Sequence, residues 1–150
     1  MTNPTQEEAK LSQWDALLLE SLRALGWSND ELIRRVRSRE LPEDDSIYHF
    51  NYQDLSSYAD QEPEVFEAAV KHGYRIKYNT VRGIRSWISI TFGKEPVLEL
   101  EEGREAVTAS LTQAERDQLA SVLSFGWSIQ GEASGSADEA SSYVIEPIQR

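Results

Sequence analysis

The stretch YRIKYNTVRGIRSWISITF, residues 74–92, decides how the second half of the chain is read. Tyr74, Ile76 and Tyr78 alternate with Arg75, Lys77 and Asn79, the period of a half-buried strand with its apolar side chains turned inward. Thr80 then fits a helix N-cap, and Val81, Ile84, Trp87, Ile88 and Phe92 recur at the spacing of a helix inner face. The segment WISITF, 87–92, is also β-branched and alternating, so a strand competes with the helix there.

Working outward toward the C-terminus, Val97–Glu101 and Ala106–Leu111 read as strands around a turn at Glu102–Gly103. Thr112 and Glu115 have the spacing of a capping box opening a helix to Phe125, with Leu119, Val122 and Leu123 inward. Gly126 stops it and Trp127–Gln130 returns as a strand. The order strand, helix, strand, strand, helix, strand is that of a ferredoxin-like β-α-β-β-α-β unit. The alternative is a winged helix, with 80–92 as recognition helix and the 97–111 hairpin as wing. Against it, about seven residues separate Gly73 from Thr80, where a helix-turn-helix turn has three or four. Glu99, Glu101, Glu102 and Glu105 on the hairpin would also meet phosphates badly.

Toward the N-terminus the chain reads as helical. Leu11, Trp14, Leu18, Leu22 and Leu25 form one apolar stripe, widened by Leu17 and Leu19 and ended by Gly26. Ser28 and Glu31 propose a second capping box, with Trp27 and Leu32 as a hydrophobic staple, opening a helix over 28–39 that carries Arg34, Arg35, Arg37 and Arg39. Asn51 caps a short helix near Tyr52–Tyr58, and Pro63 opens another that closes at Gly73. The motifs Leu25-Gly26-Trp27-Ser28 and Phe125-Gly126-Trp127-Ser128 are two similar helix stops, not a repeat.

The expected organisation is therefore α+β: a helical segment 1–73, an α+β unit 74–130, a flexible linker 131–142 and an apolar C-terminal peptide 143–150, together one compact domain. The peptide YVIEPIQR either adds a strand to the protein's own sheet, the expected role, or docks on a partner.

Composition narrows the function. With 150 residues and 39% hydrophobic content the chain can bury a core. The absence of cysteine excludes disulfides, thiol nucleophiles and cysteine-based zinc sites. Residues 1–10 are polar and acidic, unlike a signal peptide, and no apolar run approaches the ~18 residues of a membrane span, so a cytoplasmic protein with no membrane partner is expected. Only two histidines occur, His49 and His72, with no nucleophile elbow and no phosphate-binding glycine loop. His49 lies near Glu43, Asp44, Asp45 and Asp54, a set read as a solvated loop before a metal site. No catalytic residue, metal or cofactor is assigned, and the expectation is a non-enzymatic protein.

One feature rises above this background. Residues 71–94 hold Lys71, Arg75, Lys77, Arg82, Arg85 and Lys94 and no acid, a +6 island in a chain of net charge −11, which leaves −17 for the rest. Such segregation suits electrostatically oriented docking. The expected function is a regulator or adaptor that binds an acidic protein partner through Lys71, Arg75, Lys77, Arg82 and Arg85, with Arg34, Arg35 and Arg37 as a second candidate set. The alternative is a nucleic-acid-binding transcriptional regulator, either of helix-turn-helix type on helices 11–25 and 28–39, against which the bulky Leu22 near the turn counts, or of winged-helix type; self-association is a third route to partner binding.

Overall fold

The computed structural model describes residues 9–44, 48–131 and 140–148. The architecture is α+β, and contacts divide the chain into two compact units, Met1–Arg75 and Ile76–Arg150.

The first unit holds a short strand β1 (Lys10–Leu11) and four helices: α1 (Gln13–Arg23), α2 (Asn29–Ser38), α3 (Gln53–Gln61) and α4 (Pro63–His72). Helix α1 starts two residues later than the stripe suggests because the Ser12 hydroxyl accepts the Asp15 amide at 3.0 Å. Its core face is Ala16, Leu17, Leu18, Leu19 and Leu22, whereas Trp14 and Leu25 are exposed. The Ser28 hydroxyl caps α2 by accepting the Glu31 amide at 3.1 Å. The Glu31 carboxylate instead pairs with Arg34 and Arg35, charges stronger than the amide a capping box would offer it. Pro63 opens α4 and Gly73 closes it, as the sequence implies. Buried polar groups cross-link the helices: the Ser56 hydroxyl donates to the Val36 carbonyl at 2.6 Å, and Tyr74 donates to the buried Glu20 carboxylate at 2.7 Å. Arg75, first residue of β2 (Arg75–Ile76), donates its amide to the Ala9 carbonyl at 2.8 Å, in the pairing of β2 with β1.

The second unit contains α5 (Val81–Phe92), β3 (Val97–Glu99), β4 (Ala106–Leu111), α6 (Gln113–Val122), β5 (Trp127–Gln130) and β6 (Ser141–Pro147). The four strands form an antiparallel sheet in the order β3-β4-β6-β5. β6 is antiparallel to both β4 and β5, so β4 and β5 run parallel, joined through α6 with β6 between them. This split β-α-β element resembles half of the ferredoxin-like plan expected from the sequence, but β2 does not enter the sheet. The reason is a contact with a distant part of the chain. Asn79 is buried with its side-chain oxygen accepting the Ser124 amide at 2.7 Å, so the chain bends at 77–78 and the strand stops after Ile76. The β3–β4 hairpin is not a free-standing wing either, because the far edge of β4 is covered by β6.

Residues 143–147 suit an interior strand because they alternate cleanly. Tyr143 and Ile145 are buried, and Ile145 completes a row of cross-strand neighbours, Leu98, Val107, Ile145 and Ile129, that runs over all four strands. Of the two roles open to the C-terminal peptide, the structure takes the strand. Most of the expected linker, residues 132–139, lies outside the described residues. Helix α5 packs on β3 and β4 and α6 on β4, burying Ile84, Trp87, Ile88, Leu119 and Val122. The α5 caps, Thr80 on the Gly83 amide and Gly93 in the left-handed region at φ 68°, settle the ambiguity of WISITF in favour of helix. The Thr112–Glu115 capping box is complete in both directions. Strand β3 is two residues shorter than expected, because the Glu101 amide turns back onto the Glu99 carboxylate at 2.9 Å.

Gly131, which ends β5, has φ 144°, and a Cβ there would lie 2.7 Å from the Ser142 carbonyl oxygen and 2.8 Å from the Tyr143 ring. Gly131→Ala is therefore expected to destabilise the second unit by about 1–3 kcal/mol, the range for enforced backbone strain, read as a lower denaturation midpoint with an unchanged slope.

Candidate interaction surface

The cations singled out from the sequence fall into both units and meet different fates. In the first unit the α2 arginines are paired. Arg34 bridges Glu31 and Glu40, each at 3.2 Å; Arg35 binds Glu31 and lies 4.8 Å over the Trp27 ring. Arg37 reaches Glu67 at 3.1 Å and the Pro63 carbonyl at 3.3 Å. Lys71 takes the other oxygen of the same Glu67 at 3.2 Å. Arg37, Pro63, Glu64, Glu67, Lys71 and His72 line a shallow hollow of about 250 Å³ between α2 and α4. Arg75 is half-buried in β2.

These pairings show in the acids. Hydrogen bonding from Arg35 holds the Glu31 carboxyl below its ordinary range, as hydrogen bonding from Lys71 does for Glu67. Glu40 is lowered first by the Ser38 hydroxyl and then by the Arg34 charge. Exposed pairs of this kind add little to stability, because solvent screens them and the side chains lose freedom. Together they neutralise the positive face of α2, so the helix offers little uncompensated charge to a partner.

In the second unit Lys94 is also engaged. It donates to the Ser110 carbonyl at 2.7 Å and pairs with Glu115, fastening the segment after α5 to the start of α6. Burial pushes the Glu115 carboxyl up, but hydrogen bonds from Lys94 and from the Thr112 amide outweigh it and hold the group below its ordinary range. A lowered folded-state value adds stability that is present above the unfolded value, about 4.3, and disappears as pH falls through the folded value. The melting temperature of the protein is therefore expected to hold from pH 7 to about 5 and to drop below about 4. In Lys94→Met the acid side of that curve should flatten, because less of the Glu115 shift remains to be lost.

The remaining island cations, Lys77, Arg82 and Arg85, make no ion pair within 4.0 Å among the described residues. Lys77 and Arg82 are exposed and Arg85 is half-exposed. Arg82 and Arg85 lie three apart in the first turns of α5, whose first turn carries no acid. Residues so spaced share a helix face. Beside them Tyr78, expected in the core with Tyr74 and Ile76, is 74% exposed, while Tyr74 and Ile76 are buried. The bend that seats Asn79 turns Tyr78 out of the strand alternation. Comparison with protein-family models, curated proteins and solved structures gives no match to this chain. The reading of the surface thus rests on its own chemistry.

Near His49, Asp44 accepts the Phe50 amide at 2.8 Å and Asp54 accepts the Trp14 indole N–H at 3.3 Å, while Asp45 lies outside the described residues. Among the described residues no three histidine or acidic side chains are grouped to hold an ion, and no helix is long and apolar enough to cross a membrane.

Proposed function

We propose that the protein is a non-enzymatic regulator or adaptor that docks an acidic segment of a partner protein on Lys77, Arg82 and Arg85. The observation that carries this reading is the contrast in pairing. Arg34, Arg35, Arg37, Lys71 and Lys94 each meet a carboxylate, while these three meet none among the described residues, in a chain with an excess of acids. The placement of Arg82 in the first turn of α5, with Arg85 three residues on, also has a local cost. A cation in the first turn of a helix opposes the positive end of the helix dipole by about 0.3–1 kcal/mol, and like charges three apart add to it. An arriving carboxylate relieves both.

A protein segment suits the site better than a nucleic acid. The second unit carries seven basic and eleven acidic residues, and Glu99, Glu101 and Glu102 on its hairpin are exposed. A nucleic-acid strand presents a phosphate about every 3.4 Å and needs a longer run of cations than three. The test is fluorescence anisotropy with a labelled glutamate-rich peptide, a labelled single-stranded RNA and a labelled duplex DNA, at about 50 and 200 mM salt, the window in which phosphate contacts weaken by orders of magnitude. Binding of the peptide, weaker at the higher salt, supports the reading. Tighter binding of RNA or DNA than of the peptide, or no peptide binding at about 50 mM, overturns it.

A further inference from the structure

Three of the second unit's four most exposed apolar side chains gather at one end, with Tyr78 next to Lys77 in the chain; the fourth, Val97, is 68% exposed on the edge strand β3. Tyr78 is 74% exposed, Phe125 80% and Ile148 64%. Two hydrogen bonds bring their backbones together although the sequence separates them widely. The Ser124 amide donates to Asn79 Oδ1 at 2.7 Å, joining the neighbours of Phe125 and Tyr78. The Ile148 amide donates to the Gly126 carbonyl at 2.8 Å, joining the end of β6 to the residue after Phe125. Asn79 and Ser124 are buried, so this is a built junction and not a chance approach of loop tips. Gly126, at φ 105°, gives the chain its turn between Phe125 and β5.

Exposed aromatic and branched apolar groups next to uncompensated cations have the composition of an interface centre, where tyrosine, phenylalanine and arginine are enriched. Charge alone would accept any polyanion. An apolar group beside the charge selects a ligand that carries both. We infer that the partner segment is acidic and apolar together, its carboxylates meeting Lys77, Arg82 and Arg85 while one or two of its apolar side chains cover Tyr78, Phe125 and Ile148. The inference rests on the proposed docking at those cations and deepens it by naming the partner's chemistry.

The experiment compares two labelled twelve-residue peptides of equal charge at about 100 mM salt, one alternating glutamate with serine and one alternating glutamate with leucine. The leucine peptide should bind the full-length protein at least tenfold more tightly. In the double variant Tyr78→Ser, Phe125→Ser that preference should fall below about threefold, with the serine peptide unchanged. In Arg82→Ala, Arg85→Ala both peptides should weaken. Because all four substituted side chains are exposed or half-exposed, a matching melting temperature is expected and is checked first; Tyr78→Gln alone replaces the double variant if that one is destabilised. Equal binding of the two peptides, or a preference that survives loss of Tyr78 and Phe125, overturns the inference and leaves the docking reading standing. Affinities untouched by loss of Arg82 and Arg85 overturn the docking reading itself.

Discussion

Truncation after Gln130 is expected to abolish cooperative unfolding of the second unit. The deleted segment contains β6, which pairs with β4 on one side and β5 on the other. Without it β5 has no neighbour in the sheet and β4 keeps only β3, a strand of three residues. Two-stranded hairpins are marginal in water, so the remainder does not hold a sheet. The deletion also uncovers the apolar face that Tyr143 and Ile145 close. Each such side chain contributes about 2–5 kcal/mol by large-to-small substitution, against a typical domain stability of about 5–15 kcal/mol. The truncated protein should lose amide dispersion for residues 76–130 in a two-dimensional spectrum. The milder Ile145→Ala should fold, with stability lower by about 2–5 kcal/mol in denaturant titration. A truncated protein with an unaltered spectrum would show that the sheet stands without β6.

Reversing the charge of α5 by Arg82→Glu with Arg85→Glu should slow association with a glutamate-rich peptide by at least about tenfold at 50 mM salt, while the dissociation rate changes much less. Charges at an interface rim act mainly on encounter, and steering is worth roughly 10–1,000-fold in association rate. The two substitutions change the second unit's formal charge from −4 to −8, so a surface that attracts the peptide becomes one that repels it. The gap should narrow as salt shortens the screening length to about 8 Å near 0.15 M. Stopped-flow association rates at several salt concentrations read this directly. Arg34→Glu with Arg35→Glu is the control: those guanidiniums already serve Glu31 and Glu40, so reversal there should disturb α2 more than peptide encounter. An association rate insensitive to the α5 reversal would remove these arginines from the docking surface.

What the sequence disclosed follows the range of the forces involved. Most helix starts and stops were legible because their signals sit within a few residues: Thr112 with Glu115, Pro63, Gly73 and Thr80 all act where the sequence places them, whereas α6 ends at Val122, before the expected stop at Phe125 and Gly126. Strand existence was legible for Ala106–Leu111, whose alternation spans six residues. Strand order was not, since it depends on which distant segment fills the slot between β4 and β5. The bend at Tyr78 escaped for the same reason: its cause, the Ser124 amide, is 45 residues away from Asn79. Charge segregation was plain in the composition, but composition cannot distinguish a bound cation from an unpaired one. Arg37 and Glu67 lie 30 residues apart and Lys94 and Glu115 lie 21 apart, pairings that only the fold supplies. Those pairings remove Lys71 and Lys94 from the basic island, and with Arg75 half-buried in β2 the six cations narrow to Lys77, Arg82 and Arg85.

The most direct test of the account is a titration of ¹⁵N-labelled protein with the glutamate–leucine peptide, followed amide by amide. Progressive shifts are expected at Lys77, Tyr78, Arg82, Arg85 and the neighbourhood of Phe125, with α2 and α4 unmoved. Shifts centred on Arg34, Arg35, Arg37 and Lys71, or none at a peptide concentration that saturates anisotropy, would contradict it.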